Sequence, residues 1–164
     1  MSLTVRPFRD DDAEAFRELN LRWIREFFGV EESDSMQLDD PRRAILEQGG
    51  TIAIAELNGR PVGCGALVPP HHVPDDGRQW LELVKMATDP SAQGKGVASA
   101  VLDFLFDAAQ KQGCNAIWLE TNDRLVAATR LYERKGFRRL ACDELWPTPY
   151  ERCNLQMVRE LAET

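Results

Sequence analysis

The order of predicted elements indicates an α/β (α+β) protein with one mixed central sheet and helices packed against it. Two apolar runs flank Asn58-Gly59, which is typical of an antiparallel hairpin. A later apolar run leads through Gly94 and Gly96 into an amphipathic helix, which is typical of a crossover between parallel strands. Both kinds of strand pair are therefore expected in the same sheet.

The first half of the chain predicts one strand, two helices and the hairpin. Residues 4–8 form a short strand, and the acidic residues 10–12 precede a helix that ends at Gly29. Apolar side chains recur in that helix at steps of three and four: Phe16, Leu19, Trp23, Ile24, Phe27 and Phe28. Residues 31–39 are acidic and irregular and predict a loop with one helical turn. Residues 41–48 predict a short helix, and 51–56 and 61–68 the hairpin strands.

The second half alternates strands and helices. Residues 69–78 predict a loop that contains His71 and His72, and residues 80–88 predict a strand. A helix begins at Val97 and ends before Gly113, followed by a strand at 116–120 and a helix at 125–135. Strands at 137–141 and 153–158 enclose a turn-rich segment.

Composition excludes several classes of protein. The 164 residues fit a single domain over 1–164, and 43% hydrophobic with 29% charged residues is typical of a globular chain. Twenty Lys and Arg against 27 Asp and Glu give a net charge of −7. Neither nucleic acid nor a membrane surface is expected as a partner, because both require a basic face. No apolar run approaches the roughly 18 residues of a membrane span.

The cysteines predict free, buried thiols and a reducing, cytoplasmic location. No C-x-x-C pair and no histidine at ligand spacing accompanies them, so no metal is expected. The four residues are Cys64, Cys114, Cys142 and Cys153.

The segment Gln93–Ala98 has the chemistry of an anion site. The first N–H groups of a helix lack partners within the helix, glycines let the backbone approach a phosphate, and Lys95 adds a positive charge. A P-loop is excluded by Val97, and a dinucleotide-binding G-x-G-x-x-G turn by Ser99. Taken alone, the turn is equally compatible with an ordinary strand–helix connection.

Three linked motifs resemble the GNAT superfamily of acyl-CoA-dependent N-acyltransferases. The residues Gln93-Gly94-Lys95-Gly96-Val97-Ala98 match its Q/R-x-x-G-x-G/A pyrophosphate loop. Residues 83–90 are similar to its fourth strand, and residues 131–137 to its L-Y-E-x-x-G-F signature. The resemblance extends from residue 4 to residue 158. The chain departs from the pattern at Gln93, where arginine is frequent, and at Leu125, where many relatives have asparagine.

The resemblance implies a sheet of about six to seven strands with about four helices. It also implies that the fourth and fifth strands splay apart around acetyl-CoA, the co-substrate. By position, the backbone of Met86, Ala87 and Thr88 pairs with pantetheine. The pyrophosphate lies on the loop of Gln93, Gly94, Lys95, Gly96, Val97 and Ala98. Asn122, three residues before Leu125, is a further candidate contact for the cofactor.

The resemblance also implies catalytic roles. Tyr132 is the candidate general acid; the alternative is a core tyrosine bonded to backbone. Glu82 is the candidate base, on the same side of its strand as Val84, Met86 and Thr88; the alternative is a solvated or paired carboxylate. Glu120 is a second candidate base. His71 and His72 are predicted to have surface roles.

The resemblance implies an N-acetyltransferase that moves an acetyl group from acetyl-CoA to a primary amine in a ternary complex. The acceptor is a small-molecule or protein amine, and a homodimer is possible because GNAT relatives are often dimers. Trp23, Phe27 and Phe28 are predicted to be mostly core, with one ring available to the acceptor, and residues 146–152 to close over it. The alternatives are a non-catalytic acyl-CoA-binding or regulatory module and a nucleotide-binding domain.

Overall fold

A computed structural model describes residues 2–161. Within this range the strands are β1 (Leu3–Pro7), β2 (Thr51–Leu57), β3 (Arg60–Val68), β4 (Trp80–Thr88), β5 (Ala116–Thr121), β6 (Arg138–Arg139) and β7 (Leu155–Glu160). The α-helices are α1 (Ala13–Phe27), α2 (Glu32–Asp39), α3 (Val97–Lys111) and α4 (Val126–Arg134). None of these helices combines the length and apolar character that a membrane crossing requires.

The strands form one mixed sheet, as predicted. Their order is β1-β2-β3-β4-β5-β7-β6. The pair β4–β5 is parallel, whereas β3–β4 and β5–β7 are antiparallel. Helix α3 provides the crossover that a parallel pair requires.

The parallel pair splays apart as the resemblance implied. Pairing begins at Trp80 with Ala116 and ends at Leu83 with Leu119. Strand β4 nevertheless continues to Thr88, where it still pairs with β3. The edge of β4 beyond Leu83 therefore has backbone groups that β5 does not use.

Two cores cover the two faces of the sheet. On one face α3 packs against β2 and β3, with Leu102, Leu105 and Ile117 fully buried. On the other face α1 packs against β3 and β4, with Phe16 and Ile24 fully buried. The splay thus lies between two rigid, packed layers.

A bulge in β4 corrects the predicted orientation of its side chains. Ala66 pairs with Val84 and Cys64 pairs with Ala87, so two residues of β4 lie opposite Gly65. Lys85, with φ of 56°, is the bulged position. Val84 packs in the α1 core and Met86 in the α3 core. The prediction that Glu82 shares one side with Met86 and Thr88 is therefore wrong, because alternation shifts at the bulge.

Three other segments differ from their predictions. Residues 32–39 form helix α2 instead of a loop, and the Asp34 side chain caps it by accepting the Glu31 N–H at 3.0 Å. The predicted helix at 41–48 contains one π-helical turn, Arg42–Leu46. The predicted strand at 137–141 shortens to the two residues of β6.

The cysteines are free, as predicted, but they are not all buried. Cys64 and Cys114 are buried, Cys153 is half-buried and Cys142 is exposed.

Candidate active site

A cleft of about 840 Å³ opens where β4 and β5 separate. Residues 82–88 of β4 form one wall, and residues 119–122 with α4 form the other. The turn before α3 closes one end of the cleft, and the aromatic side chains at the end of α1 border it. The cleft is therefore a direct consequence of the splayed strands.

The glycine-rich turn exposes backbone N–H groups to the cleft. Gly94 and Gly96 have φ of 76° and 78°, a conformation that glycine adopts without strain. Gly96 is the N-cap of α3, and the first turn of α3 contains no acidic residue. The free N–H groups and the helix dipole together favour a bound anion here.

Most predicted cofactor residues lie on the cleft. Met86, Ala87 and Thr88 line it, and so do five of the six loop residues: Gln93, Gly94, Gly96, Val97 and Ala98. Lys95 is exposed and is not part of the lining. Asn122 lines the cleft while its amide donates to the Arg152 carbonyl at 2.7 Å and accepts the Arg124 N–H at 2.9 Å.

Tyr132 projects from α4 into the cleft. It is 7% exposed, and its ring contacts Phe137 edge-on at 5.8 Å. Burial raises the pKa of the Tyr132 hydroxyl well above its usual range, which keeps the proton on oxygen. Among residues 2–161 no group forms a hydrogen bond with this hydroxyl, so it is available to a ligand.

Glu82 lines the cleft at the start of its β4 wall, and its side chain is paired. Its side chain is 6% exposed, and its Oε1 lies 2.7 Å from Nδ1 of His71. His71 lies at the surface, as predicted, with 27% of its side chain exposed, but its ring also pairs with the buried Glu82, which the sequence did not predict. The second ring nitrogen, Nε2, lies 2.5 Å from the Pro147 carbonyl oxygen. His72 also packs inward, with its ring 5.3 Å from that of Trp146.

Glu120 on β5 completes a cluster with this pair. Both of its carboxylate oxygens are buried and make no well-formed hydrogen bond within the described part of the chain, although the nearby Thr148 side chain lowers the pKa of the carboxyl against the larger effect of burial. A ring nitrogen of His71 and carboxylate oxygens of Glu82 and Glu120 all lie within 4.8 Å of one another. Burial, and secondarily the charge of Glu82, raise the pKa of Glu120 to about 7. Glu120 is thus half ionised near neutrality.

A buried ionic group, which the sequence did not predict, lies beside the cleft. Nζ of Lys85 lies 2.6 Å from Oδ1 of Asp34, and Arg152 binds both oxygens of Asp34 at 2.5 and 2.7 Å. Burial alone would raise the pKa of Asp34, but the bonds from Arg152 and Lys85 hold it at about 2. The guanidinium of Arg152 also covers the Tyr150 ring at 4.6 Å.

Aromatic side chains line the first cleft, and a second cleft adjoins it. Trp23, Phe27 and Phe28 all line the first cleft, and Phe27 is 40% exposed, so the prediction of mostly core residues is wrong for it. A second cleft of about 510 Å³ runs along α2 and the end of β3. Glu82 and Tyr150 line both clefts, so the two clefts meet at these side chains.

The sequence matches a known family over most of its length. The sequence profile described as "Acetyltransferase (GNAT) family" matches residues 14–137. The N-acetyltransferase YjgM of Escherichia coli K12 is 31% identical over 124 residues, which cover 76% of this chain and 72% of YjgM. N-acetyltransferase family 8 member 2 of Rattus norvegicus is 29% identical over 102 residues, 62% of this chain; the match spans only 45% of the rat protein.

Solved structures share the fold across the whole chain. An acetyltransferase of the GNAT family from Staphylococcus aureus Mu50 has a TM-score of 0.84 at 20% identity, covering 98% of this chain and 100% of that one. The yncA protein of Salmonella typhimurium, solved with its cofactor acetyl-CoA, has a TM-score of 0.74 at 20% identity, covering 100% and 96%. Sheet order, splayed strands and sequence profile agree, and the chain belongs to the acetyltransferase (GNAT) family.

Proposed function

We propose that this protein transfers an acetyl group from acetyl-CoA to a primary amine, with both substrates bound at once. One observation carries the proposal: the cleft joins an open strand edge and an anion-binding helix start to a buried, unpaired carboxylate. The strand edge and the helix start suit acetyl-CoA, and the carboxylate suits an amine.

The features of the cleft fit the parts of acetyl-CoA in order. The free edge of Met86, Ala87 and Thr88 offers backbone groups to the amides of pantetheine. The N–H groups around Gly94 and Gly96 suit the pyrophosphate. When bound, acetyl-CoA supplies an activated thioester; proton transfer and orientation are left to the protein.

Glu120 suits the role of base better than Glu82. Glu82 already accepts two hydrogen bonds from His71, whereas both oxygens of Glu120 are free for an ammonium group. A base works best with a pKa near the operating pH, and burial brings that of Glu120 to about 7. Glu82 then contributes negative charge beside the ammonium.

The proposed reaction begins when the acceptor loses a proton. Glu120 takes a proton from the ammonium, whose ordinary pKa is near ~10. The amine nitrogen then bonds to the carbonyl carbon of the acetyl group, and the carbon–sulfur bond breaks. A backbone N–H near Met86 stabilises the charge on the carbonyl oxygen. Tyr132 donates its proton to the departing sulfur, and the second proton that the nitrogen loses on becoming an amide restores the Tyr132 hydroxyl, while Glu120 returns its proton to solvent.

The second cleft is the proposed route for the acceptor. It meets the first cleft at Glu82 and Tyr150, next to Glu120 in the carboxylate cluster. The cluster favours a cationic acceptor, either a small-molecule amine or a protein amine. The aromatic border of Trp23, Phe27 and Phe28 suits the apolar part of that acceptor.

Thiol release from acetyl-CoA tests the proposal. Polyamines, amino sugars, lysine-containing peptides and peptides with free N-termini would be supplied one at a time. At least one class is expected to release CoA, with intersecting two-substrate kinetics; parallel lines would indicate an acetyl-enzyme instead. Acetyl-CoA binding without release by any amine would favour the non-catalytic acyl-CoA-binding module.

A further inference from the structure

His71 has hydrogen-bond acceptors at both ring nitrogens. Nδ1 lies 2.7 Å from the Glu82 carboxylate and Nε2 lies 2.5 Å from the Pro147 carbonyl oxygen. A neutral imidazole has a single N–H, so with an ionised carboxylate at one nitrogen and a carbonyl oxygen at the other, one of these contacts would bring two lone pairs together. Only the imidazolium form donates to both oxygens.

The surroundings of the ring agree with a positive charge. Glu82 faces it from β4 and Glu120 from β5, and the ring contacts Trp118 edge-on at 5.0 Å. Asp40 and Arg43 border the second cleft on its opposite side. Burial alone would lower the pKa of His71, but the bonds to Glu82 and Pro147 raise it above its ordinary value.

We propose that His71 is a positioning residue that acts as a cation. It pairs with the Glu82 side chain, and it fixes the segment at Pro147 beside the amine-facing end of the cleft. Glu120 remains as the carboxylate that accepts the proton of the acceptor. This inference rests on the proposed function.

Removal of the cation has a definite consequence for the neighbouring carboxylates. Glu82 and Glu120 would then lie within 4.8 Å of each other without the imidazolium. Two carboxylates at such a distance resist joint ionisation and share one proton over part of the pH range. The Arg152 guanidinium and the Cys153 thiol also face Glu120, but neither would replace the lost charge between the two carboxylates.

Nitrogen NMR of the free protein tests the charge of the ring directly. The chain has two histidines, so labelling with ¹⁵N-histidine gives two rings, and His72→Gln assigns them. The midpoint of His71 protonation is expected above the ordinary value of about 6.5. Glu82→Gln should lower the His71 midpoint by about one pH unit. A wild-type midpoint at or below about 6.5 would overturn the inference.

The pH dependence of kcat/KM tests the positioning role. His71→Gln should shift the midpoint of the acidic limb of the kcat/KM profile to higher pH by about one unit, because Glu120 loses a nearby positive charge. The double variant His71→Gln/Glu82→Gln should bring the limb back toward wild type, because the opposing charge is also gone. His72→Gln is the matched control and should leave the limb unchanged. An equal loss at every pH, without a shift, would indicate a merely structural role and overturn the proposal.

The two experiments separate failure of this inference from failure of the proposed function. A neutral ring in an active acetyltransferase would overturn the inference alone. A cationic ring in a protein that transfers no acetyl group would overturn the proposed function, and the positioning role with it. The NMR measurement uses the wild-type protein, so it stands even where His71→Gln does not fold.

Discussion

Nζ of Lys85 lies 2.6 Å from Oδ1 of Asp34, with 3% and 0% of the two side chains exposed. The contact joins the bulge of β4 to helix α2, and Arg152 adds the late segment of the chain through the same carboxylate. One buried carboxylate thus pairs with two buried cations beside the cleft, and Glu31, 3.3 Å from Arg152, supplies the second negative charge. The ionic group joins three separate segments at the end of the cleft lined by Glu82 and Tyr150.

Asp34→Asn should destabilise the protein by about 3–5 kcal/mol, because it leaves Lys85 buried without a counter-charge and leaves Arg152 with Glu31 alone. Urea unfolding at pH 7 measures the loss. Asp107→Asn is the matched control, because Asp107 and Lys111 form an exposed pair, and its free energy of unfolding should stay close to wild type. A loss below about 1 kcal/mol for Asp34→Asn would contradict the described ionic group.

Glu120→Gln should stabilise the protein at pH 8 while it abolishes most turnover. The folded pKa of Glu120 is raised from 4.5 to about 7, so the folded state binds more protons than the unfolded state between these values. Stability contributed by this group therefore falls as pH rises from 4.5 to 7. The variant should gain about 1–2 kcal/mol above pH 7, allowing for solvent screening.

Urea unfolding at pH 4.5 and pH 8 checks the gain for Glu120→Gln, and the low-pH value is the internal control. The two proteins should be equally stable at pH 4.5, where the folded carboxyl is neutral. Equal stability at pH 8 as well would mean that the Glu120 carboxylate is not buried unpaired.

Tyr132→Phe should lower kcat by about 10²–10⁴-fold, the usual contribution of a general acid, and leave acetyl-CoA affinity within a few-fold of wild type. The ring packing against Phe137 is preserved by the substitution. Steady-state kinetics and calorimetric binding measure the two quantities. Turnover that survives the substitution would remove Tyr132 from the reaction and leave it a buried core residue.

Gly96→Ala should weaken acetyl-CoA binding at least tenfold, because a Cβ at the helix start would occupy space facing the bound anion. Gly113→Ala is the matched control. Both glycines have φ of 78° and open space around an added Cβ, so both variants should lose about 1 kcal/mol of stability. The loss of affinity should be confined to Gly96. Equal binding by the two variants would contradict an anion site at this loop.

Most of the fold can be predicted from the sequence because the patterns that indicate it are local. Asn58-Gly59 marks the hairpin, and the glycines of residues 93–98 mark a helix start, because both depend on neighbouring residues alone. Tyr132 follows from the position of the L-Y-E-x-x-G-F signature. The backbone contacts proposed for Met86 to Thr88 need no particular side chain, so they are compatible with the bulge at Lys85.

Distant contacts explain what the sequence does not reveal. Asp34 is 51 residues from Lys85 and 118 residues from Arg152 in the sequence. Residues 31–39 also have no periodic apolar pattern that would predict helix α2. His71 lies in a loop rich in proline and aspartate, 76 residues before Pro147, and only the folded chain brings them together. Strand β4 contains no glycine or proline that would indicate the bulge from the sequence. The predicted alternation of side chains along β4 is therefore wrong beyond Val84.

Thermal unfolding with acetyl-CoA, CoA, ATP and NAD in parallel tests the central claim most directly. A ligand at 100 times its Kd adds about 2.7 kcal/mol, which for this chain length raises Tm by about 5–10 °C. Acetyl-CoA and CoA are expected to produce this shift in the wild-type protein and a smaller one in Gly96→Ala, with little effect from ATP or NAD. No shift with acetyl-CoA or CoA, or an equal shift with ATP and NAD, would contradict a cleft built for acetyl-CoA.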